Sequence, residues 1–171
     1  SLYRYEKGTG GWSLKQEDFL QSEMVDIGDN SFPAAVDVDG DGDLDLLVGS
    51  FDRGITRFTN IGSATAPAFL QEESDYLGLN KGGYTSIRPQ FADMDGDGKT
   101  DLAFTAILAG TGVNALFYIL NRSSDRFDAG EAIVTPTGYT LAARESIRLW
   151  DVNGDRYPDV LKINSGGSLD Y

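Results

Sequence analysis

Residues 37–45 read Asp-Val-Asp-Gly-Asp-Gly-Asp-Leu-Asp, so side-chain oxygens stand at positions 1, 3, 5 and 9: Asp37, Asp39, Asp41 and Asp45. The same four places hold Asp93, Asp95, Asp97 and Asp101 in a second stretch, and Asp151, Asn153, Asp155 and Asp159 in a third. Alternate oxygens on a tightly turning loop can surround one hard cation, and the main-chain carbonyl at position 7, from Asp43, Lys99 or Tyr157, adds a further ligand. Calcium takes about six to eight oxygens in a flexible cage, whereas magnesium demands near-octahedral geometry and keeps its waters. The loops therefore predict Ca2+ at three sites.

A single Asp-Gly-Asp-Gly stretch is more often a solvated turn than a metal site, because Asp, Asn and Gly are turn formers. Three copies, with an oxygen-bearing side chain at all twelve expected positions, favour the metal reading. The EF-hand shares the first half of this pattern but needs a bidentate Glu at position 12. Position 12 here is Val48, Phe104 and Lys162, which excludes it and a dockerin-type loop with it.

The rest of the composition narrows the chemistry. With no His, the usual general base and the Ser-His and Cys-His nucleophilic pairs are missing; with no Cys, so are thiolate metal sites and disulfides. Twenty-seven acids against 14 bases give a formal charge of −13, which opposes binding to nucleic acid and to anionic membranes. Twelve of those acids lie in the three loops, and three calcium ions would bring the charge to −7. No basic, apolar leader opens the residues given, so the expectation is that a signal peptide is absent or already removed. Residues 102–120 carry no charge, but Thr105, Gly110, Thr111, Gly112 and Asn114 interrupt them, and Gly-Thr-Gly between two β-prone pieces predicts a hairpin rather than a membrane span.

The elements that must position the loops repeat with them. The loop starts, Asp37, Asp93 and Asp151, lie 56 and 58 residues apart, a spacing that marks a repeat architecture. Each loop follows a short apolar piece ending at its first Asp and precedes another, "LDLLVGS", "TDLAFTA" or "PDVLKIN". Runs of about six aromatic and β-branched residues bounded by Gly, Asn and Asp read as strands, and no capped helix is expected. Residues 13–24, with some helical periodicity, are read as an edge strand plus loop. Each unit thus holds about four strands, which predicts an all-β chain of antiparallel propeller-type blades, about three blade equivalents forming part of a propeller. The units run approximately 1–30 (half a blade), 31–85, 86–144 and 145–171 (half a blade), too few to close a ring. The two ends then carry complementary halves of one blade. An excerpt from a longer propeller is favoured over head-to-tail self-association or pairing with another element, because open sheet edges invite aggregation.

The segment "DVDGDGDLDLLVG" resembles the FG-GAP or VCBS repeat, the calcium-loop blade of integrin α-subunit propellers and of many bacterial secreted proteins. The resemblance covers essentially the whole chain, and "TNIGSATAPAF", residues 59–69, is similar to the inter-strand linker of the bacterial members. It implies that calcium, held by the twelve side chains, clips the hairpin between the first two strands of each blade. The third loop departs from the pattern, with Arg156 for Gly at position 6 and Asn153 for Asp at position 3.

Three functions remain open. The leading expectation is a non-catalytic, calcium-binding extracellular or cell-surface module for adhesion, glycan or protein binding, or display, since millimolar external calcium suits loops of this kind. A second is part of a propeller-type polysaccharide lyase or hydrolase. Its carboxylate pair would have to come from spare acids such as Glu17, Asp18, Glu72, Glu73 and Glu145, which fall in no constellation and read as surface charge. A third is a lectin stacking sugars on Trp12, Tyr84, Tyr139 or Trp150, although aromatics in strands more often pack in the core. The Gly-rich turn 81–84 sits where a ligand loop could be.

Overall fold

The computed structural model describes residues 4–16, 27–123, 126–130 and 132–170. Strands β1 (Arg4–Gly8) and β2 (Gly11–Gln16) form an antiparallel hairpin. Strands β3 (Phe32–Val36), β4 (Asp45–Gly49), β5 (Ile55–Asn60) and β6 (Phe69–Glu73) form a four-stranded sheet in chain order. So do β7 (Tyr84–Ala92), β8 (Asp101–Leu108), β9 (Asn114–Ile119) and β10 (Thr135–Leu141). Strands β11 (Ser146–Trp150), β12 (Asp159–Ile163) and β13 (Leu169–Asp170) make a three-stranded sheet. All neighbouring strands are antiparallel, and one short 3-10 turn, Tyr76–Gly78, links the first four-stranded sheet to the second.

The chain is therefore all-β and built of propeller-like blades, and no closed ring is seen among the described residues. The uncharged run 102–120 folds as the hairpin β8–β9, and no described helix is long and apolar enough to cross a membrane. Of the stretch 13–24, the residues up to Gln16 lie in β2; the remainder lies outside the described residues, as do residues 1–3.

Strand β8 explains why that run looks so apolar. Successive side chains of a strand point to opposite faces, and here both faces are covered. Leu102, Phe104 and Ala106 pack with Val36, Leu47, Ile55, Ile87 and Phe117 in one core, while Ala103 packs with Leu116, Leu141 and Ile147 in another. A sheet covered on both faces needs apolar residues at every position rather than at alternate ones. Burying a side chain the size of Leu102 or Phe104 stabilises the fold by roughly 1.5–3 kcal/mol.

Two devices hold neighbouring sheets together. Between the first and second, the backbone amides of Ser86 and Ile87 donate to the carbonyls of Phe51 (2.8 Å) and Ser50 (3.0 Å). That approach requires Gly49, since a Cβ there would lie 2.2 Å from the Ile87 carbonyl oxygen. Between the second and third, the buried side chain of Gln90 on β7 acts as a two-sided peptide mimic. Its Nε2 donates to the Ile147 carbonyl (3.2 Å), and its Oε1 accepts from the Leu149 amide (3.1 Å).

Candidate metal centres in the aspartate loops

Each aspartate loop joins the first two strands of its sheet: residues 37–44 link β3 to β4, 93–100 link β7 to β8, and 151–158 link β11 to β12. All three fold by the same internal hydrogen bonds. The carboxylate at position 1 accepts from the amides of positions 4 and 6: Asp37 from Gly40 (2.7 Å) and Gly42 (2.9 Å), Asp93 from Gly96 (2.7 Å) and Gly98 (2.8 Å), Asp151 from Gly154 (2.6 Å) and Arg156 (2.9 Å). The side-chain oxygen at position 3, of Asp39, Asp95 or Asn153, accepts from the amide at position 5, of Asp41, Asp97 or Asp155 in turn. The carboxylate at position 5 accepts from the amide at position 7, at 2.9 Å in every loop. These nested Asx turns curl the oxygens toward the inside of the loop.

The convergence is tightest at positions 1, 3 and 9. Asp37, Asp39 and Asp45 place one carboxylate oxygen each within 4.8 Å of one another, and Asp93, Asp95 and Asp101 do the same. Asp41 and Asp97 stand beside these groups, capping position 7, and the second oxygen of Asp97 pairs with Lys99. In the third loop Asn153 replaces one of the three carboxylates, leaving Asp151 and Asp159 at the corresponding places. The position-7 residues Asp43, Lys99 and Tyr157 lie at the exit of each loop.

Position 9 is the structural pivot. Asp45 and Asp101 are each 1 % exposed. One oxygen of Asp45 accepts from the Val38 amide (2.8 Å) and the other from the Asn60 amide at the end of β5 (2.7 Å). Asp101 bonds likewise to Met94 and Asn121, both at 2.7 Å. A single buried carboxylate thus ties the loop to the third strand of its sheet. Burial pushes both carboxyls above the ordinary carboxylate range, against the lowering effect of those amides. Asp43 is also pushed up, by burial and then by the neighbouring negative Asp41, and its Oδ1 is a buried oxygen with no hydrogen-bond partner. In the second loop the hydrogen bond from Lys99 holds Asp97 low and raises Lys99 in return.

Three carboxylates within 4.8 Å of one another repel by about 1 kcal/mol per pair even at the dielectric of water. Three carboxylates held that close, one buried, one half-buried and one exposed, with hard-oxygen chemistry only, fit a divalent cation of the calcium type. Asp37, Asp39 and Asp45 in one loop and Asp93, Asp95 and Asp101 in the next are the residues that would hold it.

Asn60 and Asn121 are supporting residues of the loops that the loop spacing does not reveal. Besides the backbone bond to Asp45, Asn60 accepts through Oδ1 from Gly62 (3.1 Å) and Ala68 (3.0 Å), which shapes the β5–β6 connection. Asn121 accepts from Ser123 (3.0 Å) and Asp128 (2.8 Å). The available signal was that the third strand of each four-stranded sheet runs into an Asn, in "FTN" and "YILN", 15 residues beyond Asp45 and 20 beyond Asp101.

The remaining candidates scatter. Glu17 and Asp18 lie outside the described residues. Glu72 pairs with Arg57 at 3.3 Å, Glu145 pairs with Lys162 at 3.6 Å, and Glu73 lies exposed on β6. Tyr84 packs edge-on against Phe104 and Phe117, and Tyr139 packs against the second core. Trp12 and Trp150, in contrast to the core role expected of strand aromatics, are 70 % and 69 % exposed.

The sheets and loops together define a repeat protein of propeller type. Residues 37–104 match the family model described as the FG-GAP-like repeat, a stretch that runs from the first aspartate loop through the second and into β8. Comparison with curated proteins and with solved structures gave no match.

Proposed function

We propose that this chain is a calcium-stiffened repeat module that acts outside the cell in adhesion, in glycan or protein binding, or in display, without catalysis of its own. The observation that carries this reading is the pair of carboxylate triads, each with a nearly fully buried Asp tied to a third strand. Calcium at Asp37, Asp39 and Asp45, and at Asp93, Asp95 and Asp101, would cancel the repulsion inside each loop and lock the first hairpin of the blade to its third strand. A third ion would sit more weakly at Asp151, Asn153, Asp155 and Asp159. Extracellular calcium is abundant enough to fill sites of modest affinity, which is why the reading places the module there.

Thermal melting in EDTA and after back-titration with calcium tests it. At a hundredfold excess over Kd each occupied site contributes about 2.7 kcal/mol, and two sites raise the melting temperature by roughly 10–20 °C for a chain of this size. Magnesium at the same concentration is expected to restore much less. An unchanged melting temperature on calcium addition overturns the metal assignment.

A further inference from the structure

At the end of the second sheet remote from its aspartate loop lies a hollow of about 630 Å³, within the range of small-molecule sites. It is bounded by the start of β7, the β8–β9 turn and the link from β10 to β11, with Ser86, Arg88, Asn114, Arg144 and Glu145 among its walls. Asp101 and Ile107 stand at the two ends of β8, so about 20 Å separates the hollow from the second loop. The two share no residue.

In a chain of net charge −13, two arginines lining one hollow are unexpected. Among the described residues neither Arg88 nor Arg144 has a carboxylate partner. Arg88 is held by its stack on Phe32, with the guanidinium carbon 4.5 Å from the ring centroid. The one acid on the rim is already occupied: Glu145 accepts from the Ala142 amide at 2.8 Å and pairs with Lys162 at 3.6 Å. Arg144 stands at φ 68 in the turn closed by the Glu145 amide on the Ala142 carbonyl (3.2 Å). Glycine adopts that conformation without strain, so a long cationic side chain there is an outlier of the sort that marks functional positions. Finally, Asn114 at the start of β9 is among the walls and carries an amide able both to donate and to accept.

Guanidinium groups suit a carboxylate, and an amide suits a hydroxyl. We propose that this hollow binds a hydroxylated carboxylate of the kind a uronic acid sugar presents, with Arg88 and Arg144 turning to the carboxylate and the Asn114 amide turning to a ring hydroxyl. The site goes beyond the calcium reading and does not depend on it.

Calorimetric titration of the calcium-saturated chain with D-galacturonate, and with D-galactose as the ring lacking the carboxylate, tests the proposal. Galacturonate is expected to bind at least tenfold more tightly than galactose. Arg144→Gly is expected to weaken galacturonate binding at least tenfold while the melting temperature holds or rises, because the substitution relieves the backbone and leaves the core intact. Arg88→Gln is expected to weaken it similarly. No binding of galacturonate, equal binding of galactose, or unchanged affinity in Arg144→Gly overturns the proposal. The calcium-dependent melting of the same samples reports the loops separately, so failure of one reading is told apart from failure of the other.

Discussion

The second and third aspartate loops share a hydrogen-bond pattern and differ in what stands behind them. In both, the carboxylate at position 1 accepts from positions 4 and 6, and the oxygens at positions 3 and 5 accept from the amide two residues on. Asp101, however, is buried and shared between the loop and the third strand through Met94 and Asn121. Asp159 is half-buried; it accepts from Val152 at 2.9 Å and from the Asn153 side chain at 3.5 Å, and no third-strand amide reaches it among the described residues. The difference teaches that loop shape is a local property of Asp and Gly spacing, whereas the strength of the anchor comes from a complete sheet around it.

Substituting the two anchors gives the largest expected contrast. Asp101→Ala leaves one buried and one half-buried amide without acceptors, at about 1–3 kcal/mol each, so a loss of roughly 2–5 kcal/mol is expected in urea unfolding. Asp159→Ala removes one partly exposed acceptor interaction and is expected to cost about 1 kcal/mol. Equal losses at the two positions would break the comparison, because they would mean that burial behind the loop adds nothing.

The two loops also touch. The ring of Tyr157, at position 7 of the third loop, covers Gly96 of the second, where a Cβ would lie 2.7 Å from the ring. Gly96 and Gly154 occupy the same position in their loops and have φ of +79 and +81, but nothing lies within 4 Å of a Cβ at Gly154. Gly154→Ala therefore incurs only the left-handed backbone strain, about 1–2 kcal/mol. Gly96→Ala adds the displacement of Tyr157 and is expected to be about 1 kcal/mol worse in chemical denaturation. In the double variant with Tyr157→Ala that excess should disappear. If Gly96→Ala and Gly154→Ala destabilise equally, the loops of neighbouring sheets are not mechanically coupled.

Much of this was legible in the residue order because it depends on short spacing. The Asp and Gly pattern specifies the nested turns, the runs of β-branched and aromatic residues specify the strands, and Gly-Thr-Gly between "LAFTAIL" and "NALFYIL" specifies the hairpin. What was hidden depends on contacts between distant segments. Gln90 reads as an ordinary strand residue until β11 lies beside it. Asn60 and Asn121 read as strand terminators until register brings their amides to Asp45 and Asp101. Trp150 reads as core, but its side of β11 has no covering element among the described residues. Arg88 and Arg144, 56 residues apart, line one hollow only because β7 and the β10–β11 link share one end of a sheet.

The smallest expected effects separate the two departures in the third loop. Arg156 adopts φ +79 at position 6, the conformation that Gly42 and Gly98 adopt at +91 and +85. Arg156→Gly removes a left-handed strain but restores chain entropy to the unfolded state, for a net gain of about 0.5–1 kcal/mol, the same in EDTA and in calcium. Asn153→Asp instead changes charge at position 3, beside Asp151, Asp155 and Asp159. Without an ion the added carboxylate repels its neighbours and should destabilise by up to about 1 kcal/mol; with calcium it supplies the ligand that the first two loops have, and the sign reverses. Denaturant titrations of both variants with and without calcium therefore sort strain from ligation. A calcium-independent effect of Asn153→Asp would show that the third loop is only a turn and that the resemblance among the three loops ends at the backbone.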